Sequence, residues 1–214
     1  MTQITCFVFN PFEENTYLLY DETGECVIID PGCFSREEQQ KLVDFVTQNK
    51  LRPVRLLNTH CHLDHVFGNQ FVAETYQLLP ELHEGELPVL AAFVGIARQY
   101  GLPVREPSPL PNHFIADGDE IKFGNTVLKA LLTPGHSPAS LSFYCEAQQF
   151  VIAGDVLFRG SIGRTDLPGG NHKELLRSIK NKIFPLGDAT KVYAGHGEST
   201  NIGEERTTNP FLTR

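Results

Sequence analysis

The stretch Thr59–His65, which reads Thr-His-Cys-His-Leu-Asp-His, constrains this chain more than any other feature of its sequence. Four side chains that can bind metal lie within six residues, directly after an apolar run that predicts a buried strand. Residues two apart in an extended segment point to the same side, so His60 and His62 can share one metal. Asp64 and His65 begin the helical pattern that follows, and they turn toward a second metal position. The sequence therefore predicts a metal site at the carboxyl end of a strand.

The composition of the 214 residues excludes several classes of function. Hydrophobic residues make up 41% and charged residues 21%, which is typical of a globular protein with a sizeable core. The net charge of −8 argues against a nucleic acid partner. The N-terminal sequence lacks the pattern of a signal peptide, and no stretch approaches the roughly 18 apolar residues of a membrane span. Five scattered cysteines predict reduced thiols, so we expect a cytoplasmic protein without membrane contact.

Apolar and alternating runs predict strands, and helical spacing predicts helices, in an order that is similar in both halves of the chain. The predicted strands cover 2–9, 15–20, 25–29, 52–58, 121–123, 126–132, 141–145, 150–153 and 192–194. A capping box of Ser35 and Glu38 predicts the start of the first helix, and further helical segments are expected over 66–77, 87–100, 173–183 and 204–208. This pattern favours an α/β fold of two mixed sheets that lie face to face, with helices outside.

Two segments are predicted to lack regular structure. Residues 80–88 are expected to be a break between helices, and the proline-rich residues 103–112 an exposed connection. Metal-type residues occur on both sides of this connection. We therefore expect one domain over 1–214, built from two pseudo-equivalent halves of about 1–105 and 106–214.

Three further metal-type residues follow predicted strands in the second half, each in a turn that contains glycine. They are His136, Asp155 and His196. Glycine lets neighbouring backbone segments approach each other closely, so the metal-type side chain beside it can point out of the strand end. Seven ligands are too many for one tetrahedral metal but suit two metals that share a carboxylate.

The simplest division gives three ligands to each metal and one shared ligand. The first metal would take His60, His62 and His136, the second Asp64, His65 and His196, and Asp155 would bridge them. Nitrogen and oxygen donors without a thiolate suit zinc, with iron or manganese as alternatives.

This set of ligands resembles that of the metallo-β-lactamase superfamily, whose hallmark is T-H-x-H-x-D-H followed by later His, Asp and His ligands. The fold of that family is a four-layer αββα sandwich, in agreement with the pattern of predicted elements. Within the superfamily the chain is similar to the short bacterial form of glyoxalase II (hydroxyacylglutathione hydrolase), because a similar run of residues, 157–171, follows Asp155.

The resemblance implies a dinuclear metal hydrolase that cleaves S-D-lactoylglutathione to D-lactate and glutathione. A hydroxide held by the metals would attack the thioester carbonyl, and Asp64 would also act as a catalytic residue by orienting it. Arg159 and Arg164 are candidates for binding a substrate carboxylate, because a guanidinium group offers a planar fork of donors. Pairing of an arginine with nearby Asp166 is an equally good interpretation.

Residues beside the predicted ligands are expected to support them. Cys61 would point away from the two neighbouring histidines if the strand continued, so it is left out of the ligand set and its role stays open. Asn58, Thr59 and Ser137 are expected to orient ligands through hydrogen bonds.

One difference from the family leaves the substrate open. Glyoxalase II carries a C-terminal helical region with basic residues for the glutathione moiety, whereas only a short segment follows His196 here. We therefore expect no C-terminal glutathione-binding domain, and a hydrolase of another thioester or a lactone remains an alternative.

Other members of the superfamily provide further alternatives. A persulfide dioxygenase would use a single iron, bound by His60, His136 and Asp155. A true β-lactamase is disfavoured by the absence of an export signal and by Asp155, where those enzymes tend to use cysteine. The acidic net charge disfavours an RNA-processing nuclease, and a purely structural zinc module would be richer in cysteine. The sequence makes no prediction of the oligomeric state.

Overall fold

A computed structural model describes residues 1–104 and 106–213 and divides the chain into two compact units. Unit 1 comprises Met1–Phe114 and Lys122–Thr126, and unit 2 comprises Ile115–Ile121 and Val127–Arg214. The chain therefore passes from unit 1 to unit 2, returns for five residues, and then completes unit 2.

Unit 1 contains a six-stranded mixed sheet in which the strands follow one another in chain order. The strands are β1 (Gln3–Phe9), β2 (Glu14–Tyr20), β3 (Glu25–Ile29), β4 (Arg52–Leu57), β5 (Pro80–Leu82) and β6 (His113–Phe114). β1, β2 and β3 are antiparallel, and the remaining pairs are parallel. Ile29 of β3 lies opposite Leu57 of β4, so the residues that follow these two strands emerge at the same edge of the sheet.

The helices of unit 1 are α1 (Arg36–Gln48), α2 (Leu63–Val66), α3 (Asn69–Tyr76) and α4 (Leu87–Gln99). The predicted capping box is confirmed, because the Ser35 hydroxyl accepts a hydrogen bond from the Glu38 amide while the Glu38 carboxylate accepts one from the Ser35 amide. Leu42 and Val46 of α1 are buried in a core with Leu56 of β4.

The helix predicted over 66–77 is wrong as a continuous element, because it is interrupted at Gly68 between α2 and α3. The Gly68 amide donates to the carbonyl oxygen of Pro31 at 2.7 Å. A Cβ atom at Gly68 would lie 2.4 Å from the sulfur of Cys33. The loop after β3 therefore packs against the backbone at this point and displaces the helical hydrogen bonds.

The predicted break at 80–88 is also wrong in part, because it contains β5 and a 3₁₀ turn, Glu84–Glu86. β5 is only three residues long and pairs with β4 through Pro80 and Glu81 alone, so it leaves no alternating pattern in the sequence. In the proline-rich connection most residues are exposed, but Ser108 is buried and its hydroxyl accepts from the Asn69 side chain at 2.9 Å. Arg105 of this connection lies outside the described residues.

The remaining strands form a second six-stranded mixed sheet, in the order β14-β13-β10-β9-β8-β7, and a two-stranded sheet of β11 and β12. All of their residues belong to unit 2 except Lys122, Phe123 and Thr126. The strands are β7 (Glu120–Phe123), β8 (Thr126–Leu132), β9 (Leu141–Cys145), β10 (Phe150–Gly154), β11 (Leu157–Phe158), β12 (Ser161–Ile162), β13 (Lys191–Ala194) and β14 (Thr200–Asn201). β9 and β10 form the predicted hairpin, and β10 pairs with β13 in parallel.

The helix predicted over 173–183 consists of α5 (His172–Ser178) and a π-helical turn, Ile179–Ile183. The last helix, α6 (Ile202–Thr208), begins two residues before the predicted segment. Leu175, Ile179 and Ile183 are buried and form part of the core of unit 2. Two mixed sheets and surrounding helices, the elements of the predicted fold class, are therefore present. Within the part of the chain that the structure describes, no helix combines the length and apolar character needed to cross a bilayer.

Candidate metal centre

The first group of predicted ligands lies in unit 1, between the end of β4 and the helix α2. The chain is irregular from Asn58 to His62, which is the N-cap residue of α2. The imidazole centroid of His60 lies 4.8 Å from that of His62 and 4.1 Å from that of His65. Asp64 follows the same turn, with its Oδ2 atom 3.6 Å from Nε2 of His65. The structure thus brings the four predicted ligands of unit 1 together, and all four are buried.

Asp30 connects two of these histidines, although the sequence analysis did not include it. Its Oδ1 atom accepts from the Thr59 amide at 2.7 Å, and its Oδ2 atom accepts from the Thr59 hydroxyl at 2.5 Å. The same Oδ2 atom lies 3.1 Å from Nδ1 of His65, and the Thr59 hydroxyl lies 3.0 Å from Nδ1 of His60. Because Nδ1 of each imidazole contacts one of these oxygen atoms, Nε2 is the nitrogen that each histidine would offer to a metal.

Further buried polar residues complete this network. The Asn58 side chain donates to the carbonyl oxygen of His65 at 3.2 Å, and the Asn10 side chain donates to that of Asp64 at 3.0 Å. Glu14 is fully buried, with its Oε1 atom 4.0 Å from Nδ1 of His65. Burial raises the pKa of the Glu14 carboxyl well above its ordinary value, an effect that His65 opposes.

Asp30 and Glu14 are functional candidates that sequence reasoning missed. A usable signal for Asp30 existed, because it directly follows a predicted strand in the segment Asp30-Pro31-Gly32. The parallel pairing of β3 with β4, which the sequence did not reveal, places Asp30 beside Thr59. Glu14 carried no such signal, since a glutamate at the start of a strand usually faces solvent.

The second group of predicted ligands lies in unit 2. The Oδ2 atom of Asp155 lies 3.5 Å from Nε2 of His136 and 3.6 Å from Nε2 of His196. Nδ1 of His136 lies 2.8 Å from the carbonyl oxygen of Arg164, an acceptor, so this nitrogen carries the proton and Nε2 is the nitrogen that would bind a metal. The carboxylate of Asp155 therefore lies between the two histidines, in an arrangement suited to metal binding.

Glycine residues allow the backbone to approach the ligands of unit 2. A Cβ atom at Gly163 would lie 1.9 Å from the carbonyl oxygen of Asp155 and 3.1 Å from Cβ of His136. Gly135, with φ of +131°, packs against the backbone of Leu175, where a Cβ atom would lie 2.2 Å from the amide nitrogen. The positions of His136 and Asp155 thus depend on close backbone packing.

Cys61 takes no part in the ligand group of unit 1. Its amide donates to the buried carboxylate of Glu86 at 3.0 Å, and its side chain packs with Val66, Leu82 and Leu90. Burial raises the pKa of the Cys61 thiol well above its ordinary value. The Cys61 side chain therefore lies in an apolar cluster, outside the groups of histidine and aspartate donors.

The two predicted substrate arginines both have carboxylate partners in unit 2. Arg164 donates two hydrogen bonds of 2.7 Å to Asp166, and these hold the pKa of Asp166 at about 2. Arg159 forms an ion pair with Glu198. Pairing of Arg164 with Asp166, the alternative interpretation of the sequence, is thus present, while a role of either arginine in substrate binding stays a prediction.

The donor groups fit divalent metal ions. Each unit supplies imidazole nitrogens and a carboxylate, buried or half-buried, with Nδ1 of His65 and His136 engaged by an oxygen acceptor. Such sets of nitrogen and oxygen donors suit zinc, iron or manganese.

The chain belongs to the metallo-β-lactamase superfamily, whose family model matches residues 9–196, a range that contains all seven predicted ligands. Hydrolytic enzymes that depend on bound metal are typical of this superfamily.

Two curated relatives match nearly the whole chain. The probable metallo-hydrolase YqgX of Bacillus subtilis is 38% identical over 204 residues, which cover 94% of this chain and 93% of the relative. The hydroxyacylglutathione hydrolase GloC of Haemophilus influenzae is 33% identical over 202 residues, with the same coverage of 94% and 93%.

Two solved structures share the fold over their whole length. The BLEG-1 B3 metallo-β-lactamase has a TM-score of 0.90 at 37% identity, with 99% of this chain and 100% of that chain covered. TTHA1623 in a di-iron-bound form has a TM-score of 0.86 at 38% identity, with 97% and 100% covered. The predicted metallo-β-lactamase fold and the resemblance to this superfamily are thereby confirmed.

Proposed function

We propose that the protein is a dinuclear metal thioester hydrolase that cleaves S-D-lactoylglutathione to D-lactate and glutathione. The observation that carries this proposal is the similarity to the hydroxyacylglutathione hydrolase GloC, which extends over 93% of that protein.

The proposed ligands are the two groups of the described units. His60, His62, Asp64 and His65 would come from unit 1, and His136, Asp155 and His196 from unit 2, with the division between two metals and the bridging role of Asp155 as predicted from the sequence. Two bound divalent metals would supply an activated water and polarise the thioester carbonyl. Zinc is the metal that we propose, and the di-iron form of TTHA1623 makes iron the principal alternative.

The residues of the chain prepare the site for this chemistry. Asp30 and Thr59 hold Nδ1 of His65 and His60, so that each imidazole offers Nε2 without a change of tautomer. Asp64 is buried next to His65 and, in addition to its ligand role, would orient the attacking water as a general base. Since a thiolate is a good leaving group, the reaction needs no strong general acid from the protein.

A second candidate function is β-lactam hydrolysis, favoured by the similarity to the BLEG-1 B3 metallo-β-lactamase. Both reactions are attacks on an acyl carbon and would use the same metal ligands. They differ in the substrate group that the protein must recognise, an anionic peptide thioester or a bicyclic lactam.

Steady-state hydrolysis of S-D-lactoylglutathione by the purified protein, with zinc, iron and manganese measured on the same sample, tests the proposal. We expect turnover with about two metals per chain, and slower turnover of a cephalosporin. Faster hydrolysis of the cephalosporin would select the second candidate. One iron per chain, with oxygen consumption on glutathione persulfide, would show that the protein is a dioxygenase instead.

Two histidine variants provide a matched control for this test. His62→Ala removes a proposed ligand and is expected to lower both the metal content and the turnover. His113→Ala changes an exposed histidine of β6, outside the proposed ligand set, and is expected to leave both unchanged. Equal effects of the two substitutions would contradict the assignment of His62.

A further inference from the structure

The turn between β11 and β12 follows Asp155 closely and carries Arg159. β11 pairs with β12 through Leu157 and Ile162, and Gly160 adopts a positive φ of 68° in the turn between them. The ring of Phe158 lies edge-on to the imidazole of His196, with 6.3 Å between the centroids. Arg159 is thus presented from a defined turn next to a proposed metal ligand.

Glu205 of α6 holds this turn in place from inside unit 2. Its buried Oε2 atom accepts from the Gly160 amide at 2.9 Å and from the Asn209 side chain at 2.7 Å. Its Oε1 atom accepts from the Thr200 hydroxyl at 2.6 Å, and the Asn209 side chain also donates to the carbonyl oxygen of Ser161 at 3.0 Å. One buried carboxylate therefore fixes both the Arg159 turn and the segment that follows His196.

The guanidinium group of Arg159 binds a carboxylate of the chain itself. Its partner is Glu198, two residues after His196. The Arg159 side chain is 55% exposed and that of Glu198 is 76% exposed, so water and solutes can reach both groups. Exposed ion pairs contribute little free energy, which means that another carboxylate can replace Glu198 at small cost.

We propose that Glu198 determines substrate specificity by competing with the carboxylate of an anionic substrate for Arg159. The inference rests on the proposed function, and it names the recognised class as thioesters whose thiol portion carries a carboxylate. Glu198 occupies the position that the substrate carboxylate takes, while the Glu205 network fixes the turn that carries the arginine. A neutral thioester gains nothing from Arg159 and is unaffected by Glu198.

The test is the steady-state kinetics of Glu198→Gln on two substrates, S-D-lactoylglutathione and the neutral thioester S-lactoyl-N-acetylcysteamine. We expect KM for the glutathione thioester to fall by about two- to fivefold, the scale of an exposed ion pair. KM for the neutral thioester and kcat for both are expected to stay unchanged. A fall in KM of equal size for both substrates would overturn the inference.

Two further variants separate the specific effect from a general one. Glu174→Gln removes the same charge from the exposed Glu174–Arg177 pair of α5 and is expected to leave both KM values unchanged. In the background of Arg159→Gln, which should raise KM for the glutathione thioester, Glu198→Gln is expected to have no effect. A Glu198 effect that persists without Arg159, or that Glu174→Gln reproduces, contradicts the competition.

A binding measurement distinguishes failure of this inference from failure of the proposed function. If the wild-type protein hydrolyses no thioester, the proposed function is wrong, and calorimetric binding of the stable thioether S-methylglutathione then decides the inference. Two- to fivefold tighter binding to the Glu198→Gln variant, on the order of an exposed ion pair, supports it. Equal affinity of the variant and the wild type overturns it.

Discussion

The ligand group of unit 1 and that of unit 2 are held in place by different means. In unit 1 the predicted ligands come from one short segment, and side-chain contacts of Thr59 and Asp30 orient two of them, His60 and His65. In unit 2 the predicted ligands come from three separate turns, and close backbone packing at Gly135 and Gly163 sets the positions of His136 and Asp155. A contiguous motif can be fixed by one buried carboxylate, whereas dispersed ligands depend on how closely their backbones pack.

The largest effect that follows from this difference is expected for Gly163→Ala. The added Cβ atom would lie 1.9 Å from the carbonyl oxygen of Asp155, so either that backbone or the β12 end must shift. We expect a loss of about 3 kcal/mol in the free energy of unfolding, the upper range for overpacking, and loss of metal. Denaturant unfolding and metal analysis measure the two effects.

Gly95→Ala is the matched control for this substitution. Gly95 lies in α4, and among the described residues outside the neighbouring helix backbone no atom lies within 4 Å of an added Cβ. Alanine is also the better helix former. The control should therefore be neutral or stabilising by up to about 1 kcal/mol. If Gly163→Ala behaves in the same way, close packing is not what positions Asp155.

Asp30→Asn in unit 1 is expected to weaken metal binding, a smaller effect than the loss of stability and of metal in Gly163→Ala. The amide can replace one carboxylate oxygen as an acceptor but not both, so the bond to Thr59 or that to His65 is lost. We expect metal affinity to fall by about 10- to 100-fold, the usual effect of losing a partner that orients a ligand. Competition with a chelator measures the affinity, and unchanged affinity would show that the Asp30 carboxylate is not needed to orient the histidines.

The smallest of the three effects is a dependence of stability on pH that involves Asp21. Burial alone would raise its pKa, but hydrogen bonds from Thr23, Asn125 and Thr126 outweigh this and lower the pKa below its ordinary value. The ionised carboxylate therefore stabilises the folded state above the unfolded pKa of about 3.9, and this contribution is lost as the pH falls through the folded pKa.

Asp21→Asn should accordingly destabilise the protein by about 1 kcal/mol near pH 7 and by less in acid, as followed by thermal unfolding between pH 3 and pH 7. Asp117→Asn in unit 2 is the matched control. Asp117 pairs with Lys182 at the surface and also has a lowered pKa, but solvent screens this pair, so a smaller effect is expected. Equal effects would show that burial of the Asp21 carboxylate adds nothing to its contribution to stability.

Sequence analysis predicted well the strands and helices that are long enough to show a regular spacing of apolar residues. β1, β2, β8 and α4 are examples, and the capping box located the start of α1 from two residues. The strands β5, β6, β11, β12 and β14 have two or three residues each, too few for any alternation to be visible.

The predicted metal ligands were accessible from the sequence because the ligand types and their spacing are themselves the signal. Residues that support the ligands carry no such signal. Asp30 acquires its role from the pairing of β3 with β4. Glu205 acquires its role from the Gly160 amide, 45 residues earlier in the chain, and from the nearer side chains of Thr200 and Asn209. Side chains that act through tertiary hydrogen bonds thus become visible only in the folded chain.

The return of Lys122–Thr126 to unit 1 has a consequence for how the protein is made. Asn125 and Thr126 donate the hydrogen bonds that close the end of β2 at Asp21, yet Ile115–Ile121, which belong to unit 2, precede them in the chain. On the ribosome, unit 1 therefore cannot be completed until the first segment of unit 2 has already been synthesised. Because the segments of the two units alternate along the chain, no single cut in the polypeptide separates it into two intact units.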